Sequence, residues 1–135
     1  MTKMKLVFAL AVALLPVASS AGIYIRFKPI LQVNPVSQTT FEVIEDYGEG
    51  ARGIWCAAAH FAQFRLGKTR GRIWLADGRG PSRTMPGRTG VLFSTEPVDT
   101  GYSSPSLTVR DAGANLLVNH AIQFCKDYDY EFDDF

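Results

Sequence analysis

Three features of the sequence predict a small α+β fold, a largely antiparallel sheet with two helices on one face joined by one disulfide. Two segments carry apolar residues at helical spacing, and each holds one of the two cysteines. Between and before them lie short β-branched and aromatic runs bounded by Gly, Pro, Ser and Asp. An N-terminal export signal then places both cysteines in an oxidising compartment, where pairing is the usual fate.

The signal is read from residues 1–21. Lys3 and Lys5 supply its charge, residues 6–18 are an apolar run of 13, and Ser19, Ser20 and Ala21 place small residues where signal peptidase cleaves. A spanning helix needs about 20 apolar residues, so the mature chain is expected to begin near Gly22 with no transmembrane segment. No cysteine stands at the cleavage point to take a lipid. The expected location is therefore the periplasm or the medium. Cleavage leaves 114 residues, the size of one domain, read as residues 22–125 followed by an acidic, aromatic tail over residues 126–135.

Residues 23–28 alternate before Pro29 interrupts them, which suits an edge strand. Residues 39–46 form a better strand, with Phe41, Val43 and Glu45 on one side and Thr40, Glu42, Ile44 and Asp46 on the other. Residues 47–50 break it. Over residues 53–66, Ile54, Ala58, Phe61, Ala62 and Leu66 recur at steps of three and four, and Gly67 is placed to stop the helix. Cys56, His60 and Gln63 share one stripe outside that apolar face.

Residues 72–77 read as a strand with Ile73 and Leu75 on one side and Trp74 on the other, and residues 90–95 as its partner. The twelve residues between them, rich in Gly, Pro, Arg, Ser and Thr, predict a long basic hairpin loop that continues neither strand. Residues 106–110 read as a short strand. Leu117, Val118, Ala121, Ile122 and Cys125 then follow one helical face, with Asn115 or Asn119 as the cap. The expected order is β-β-α-β-β-β-α, with Cys56 bonded to Cys125.

The segments Trp55-Cys56-Ala57-Ala58, Arg72-Ile73-Trp74-Leu75, Gly80-Pro81-Ser82 and Gly90-Val91-Leu92-Phe93-Ser94, with a cysteine near the end, resemble a group of small exported proteins of alphaproteobacteria. The resemblance covers most of the mature chain except the acidic tail. It implies a bacterial exported domain with paired cysteines and no particular chemistry.

Formal charge moves from +1 to −1 on cleavage, which gives no specific nucleic-acid signal. The distribution is uneven. Arg65, Lys68, Arg70, Arg72, Arg79, Arg83 and Arg88 face only Asp77 within 24 residues, while five acids crowd the last nine. Arg79, Arg83 and Arg88, with Arg70 and Arg72 at the base of the hairpin, are therefore the candidate site for an anionic ligand or surface. The loop is not a P-loop, because the G-x-x-x-x-G-K-[ST] spacing is missing.

An alternative is a small thiol enzyme. Cys56 and His60 lie four residues apart on one helix, where an imidazole and the helix N-terminus would both favour a thiolate. His120, the other histidine, falls on the face opposite Cys125, and no third orienting residue is evident. C-x-x-C and H-x-x-x-H spacings are missing as well, so no metal site and no cofactor is expected. Trp55 and Trp74 read as core residues. The expected function is that of an exported, non-catalytic binding domain.

Overall fold

Short runs that alternate large apolar with polar residues build one five-stranded sheet. In the computed structural model, residues 30–102 and 106–127 are described. The signal over residues 1–21, the strand expected over residues 23–28 and residues 128–135 of the tail lie outside them. Strands β1 (Val33–Pro35), β2 (Thr40–Ile44), β3 (Arg72–Pro81), β4 (Thr89–Ser94) and β5 (Asn115–Leu117) pair in the order β1-β2-β4-β3-β5, antiparallel throughout. Helix α1 (Ala51–Phe64) connects β2 to β3, and helix α2 (Val118–Ala121) follows β5 and runs into a 3-10 segment, Ile122–Asp127. The small α+β fold is the one expected.

The pleat sends Phe41 and Val43 of β2, Ile73 and Leu75 of β3, and Val91 and Phe93 of β4 to the face beneath α1, where all six are buried. Trp55 completes this core. Its ring meets Phe93 edge-on at 4.9 Å, and its Nε1 donates to the Thr108 carbonyl at 2.7 Å. That bond satisfies the one polar atom a buried indole carries.

The short side chains of Ala57, Ala58, Ala59 and Ala62 let α1 sit close to two neighbours at once. The sheet lies on one side; α2 and the 3-10 segment pack along another. Cys56 and Cys125 join these layers, with Sγ–Sγ 2.08 Å and Cα–Cα 5.0 Å, and both are fully buried. Closure of a 69-residue separation is worth about 4 kcal/mol in the chain-entropy picture.

Several local expectations change. Helix α1 begins two residues earlier and ends two earlier than expected, which leaves Leu66 outside it and exposed. Gly67 does stop it: its φ of +68° turns the chain so that the Lys68 N–H reaches the Ala62 carbonyl at 2.8 Å. Leu117 ends β5 rather than opening a helix, and Leu117 is itself the N-cap, without a side-chain bond. Neither Asn115 nor Asn119 caps α2. Asn115 lies in β5, where its amide nitrogen donates to the Gly113 carbonyl.

Residues 106–110 form no strand. Arg79 N–H donates to the Val109 carbonyl at 2.7 Å, but the Thr108 hydroxyl donates to Asp111 Oδ2 and accepts from the Arg110 N–H. Such side-chain turns compete with a ladder. The 3-10 segment reaches Asp127, two residues into the stretch read as tail.

Candidate functional site

The twelve-residue loop expected between β3 and β4 is largely strand. β3 continues through Gly78, Arg79, Gly80 and Pro81, taking up one extra residue between Leu75 and Asp77 and another between Asp77 and Gly80. Such bulges let a strand absorb glycines and end on a proline. The true loop is residues 82–88, closed by the Ser82 N–H to the Arg88 carbonyl at 2.8 Å.

This loop folds over the sheet face opposite α1 and encloses Glu42, which is only 1% exposed. The carboxylate accepts at Oε1 from the Ser82 hydroxyl (2.6 Å), the Thr84 hydroxyl (2.7 Å) and the Thr84 N–H (3.1 Å), and at Oε2 from the Arg83 N–H (2.7 Å). Thr84 Oγ1 in turn accepts from Asn34 Nδ2 at 2.9 Å, which ties the loop to β1. Ser82 Oγ accepts from the Thr84 and Met85 N–H groups, shaping the turn itself. Burial alone would push the Glu42 carboxyl up; the hydrogen bonds from Ser82, Arg83 and Thr84 outweigh it and hold the group below the usual carboxylate range. Glu42 is the centre of the site. The sequence places it on a strand's outer side but contains no local sign that a loop 40 residues later covers it.

The arginines of the hairpin are paired with acids, two of them with acids from a distant segment. Arg79 pairs with Glu45 at 2.6 Å, Arg83 with Asp77 at 2.7 Å, and Arg88 with Asp46 at 3.1 Å while also donating to the Glu45 carbonyl. The apparent charge imbalance along residues 65–88 is thus partly relieved by Glu45 and Asp46, just after β2. These pairs differ in accessibility. Arg83 and Asp77 are the most open, at 46% and 61% side-chain exposure, and pairs of that kind contribute about 0–1 kcal/mol.

Arg70 and Arg72 stand elsewhere. Arg72 opens β3, nine residues before Pro81, and donates to Asn115 Oδ1 at 2.9 Å. A strand advances about 3.3 Å per residue, so these two arginines do not converge with the loop. Arg110, which sequence reasoning passed over, is exposed, and its backbone lies against Gly78 of β3.

The stripe of Cys56, His60 and Gln63 does not form an exposed polar edge. Cys56 is oxidised and buried, so in this state it offers no thiolate. His60 is partly buried with its ring 4.6 Å from Phe64. Among the described residues, no group of three or more His, Cys, Asp or Glu side chains is arranged to hold a metal ion, and no helix is long and apolar enough to cross a membrane. Comparison with known proteins adds no relative: no family model, no curated protein and no solved structure matches this chain.

Proposed function

We propose that the chain is exported through residues 1–21 and acts in the periplasm or medium as a non-catalytic domain that binds an anionic ligand or partner on its hairpin loop. The observation that carries this reading is the clamping of residues 82–84 on Glu42, which fixes the backbone beneath Arg83. A ligand then meets a loop already ordered, without the entropy cost of fixing it. Arg83 is the first contact, because its weak pairing with Asp77 exchanges readily for a phosphate, sulfate or carboxylate. Arg79 and Arg88 contribute by the same exchange. The buried disulfide fits an oxidising compartment.

The test is salt-dependent retention of the mature protein on a sulfated matrix. Replacing Arg79, Arg83 and Arg88 together by Gln is expected to abolish retention, while Arg70→Gln with Arg72→Gln leaves it intact. Equal retention of the triple variant and the parent would refute the reading. Export is checked separately, by intact mass of protein from a periplasmic extract; a chain beginning near Gly22 is expected.

A further inference from the structure

A strained residue marks a second site beside the hairpin. The turn after β2 is closed by the Glu49 N–H to the Asp46 carbonyl at 3.1 Å, with Tyr47 at φ +58° and Gly48 at φ +66°. Two successive residues at positive φ suit Asn-Gly or Gly-Gly. Gly48 meets that demand, whereas a tyrosine in the left-handed region is an outlier for a bulky side chain. Core packing does not explain it, since Tyr47 is 69% exposed. Strain of this kind persists where the side chain has a use at that position.

Tyr47 stands at the rim of a pocket of about 180 Å³ lined by Ile30, Gln32, Ile44, Asp46, Tyr47 and Arg88. Ile44, only 1% exposed, closes the base of the pocket, and the partly buried Ile30 supplies its apolar surface. The polar lining is neutral overall. Arg88 Nη2 meets Asp46 Oδ2 at 3.1 Å and the Glu45 carbonyl at 3.1 Å, Asp46 Oδ1 accepts the Tyr47 N–H at 2.8 Å, and Gln32 carries an amide. An anion here would meet the Asp46 carboxylate, and a cation would meet the Arg88 guanidinium.

The lining offers donors and acceptors side by side, and a hydroxyl is the group that both donates and accepts. We propose that this pocket binds one pyranose ring of a neutral saccharide, with the C–H face of the sugar against Tyr47 and Ile30 and its hydroxyls on Asp46, Arg88 and Gln32. The volume suits a single ring, being below the range typical of sites for larger ligands. The pocket shares Arg88 with the anion reading, but sugar binding here keeps the Arg88–Asp46 pair intact and does not require that exchange.

The test uses the oxidised mature protein labelled with nitrogen-15. Amide spectra are followed while methyl glucoside, galactoside, mannoside and N-acetylglucosaminide are added, with sodium phosphate as a parallel series. At least one glycoside is expected to give saturable shifts at Gln32, Ile44, Tyr47 and Arg88. Tyr47→Asn should weaken that glycoside at least tenfold while raising the thermal midpoint, because Asn tolerates the left-handed conformation; Tyr47→Phe should retain binding. Absence of saturable shifts with all four glycosides overturns the proposal, as do shifts produced by phosphate alone. Undiminished affinity in Tyr47→Asn overturns it as well.

Discussion

Glu42 shows what one residue adds to a strand that alternation already predicts. Its carboxylate is depressed below the usual range, so the unfolded chain takes up the proton first as pH falls. The stability it confers is complete above the ordinary carboxylate range and is lost as pH drops through that range to the folded value. Glu42→Gln would keep one accepting oxygen and turn an amide N–H₂ toward the donors that the other carboxylate oxygen now serves. We expect it to lower stability by about 2 kcal/mol at neutral pH and to flatten the acid limb of the stability curve, measured by urea unfolding at several pH values. An unchanged acid limb would mean that other carboxylates set it. Position 42 was legible as strand and as outward-facing. Its burial was not, because the covering donors on Ser82, Arg83 and Thr84 come from a separate part of the chain.

At the level of elements, β4 and the hairpin loop depend on the small size of Gly90. A Cβ built there would lie 2.6 Å from Glu42 Cδ and Oε2, so the glycine makes room for the clamped carboxylate beside Ile44, its partner across the ladder. Gly90→Ala is expected to cost about 1–3 kcal/mol and to speed amide exchange at Arg83 and Thr84 more than at Val91 or Phe93. Uniform acceleration along β4 would indicate general strand loss instead. The long elements were legible: α1 from its apolar spacing, β2 and β4 from their β-branched and aromatic runs. β1 and β5 have three residues each, too few for a period to register. The extension of β3 through Gly78 and Gly80 was hidden for a different reason, since composition marks glycine as a breaker while bulged pairing accommodates it.

Across the whole molecule, α1 is held between a sheet on one side and the C-terminal helical segments on another, and the Cys56–Cys125 bond fixes the second contact. Replacing both cysteines by Ala is expected to lower stability by about 2–4 kcal/mol, read from the shift in urea midpoint; loss below 1 kcal/mol would show that packing alone holds the 3-10 segment on α1. The pairing itself was predictable from the expected export signal and a count of two cysteines. The candidate binding surfaces were less so. Arg79, Arg83 and Arg88 stand out in the sequence, but Glu45 and Asp46, which neutralise two of them, arrive from 34 and 42 residues away in the chain.

The same bond makes residues 56–125 a covalent ring. A single proteolytic cut at any peptide bond inside that ring opens the backbone without releasing a fragment. The protein should therefore run as one band on a denaturing gel after a nick at Arg83 or in the segment around residue 100, and separate into two only when reductant is added. Under the proposed export, where proteases are met outside the cytoplasm, the ring would keep both halves of the sheet within refolding distance after one cut.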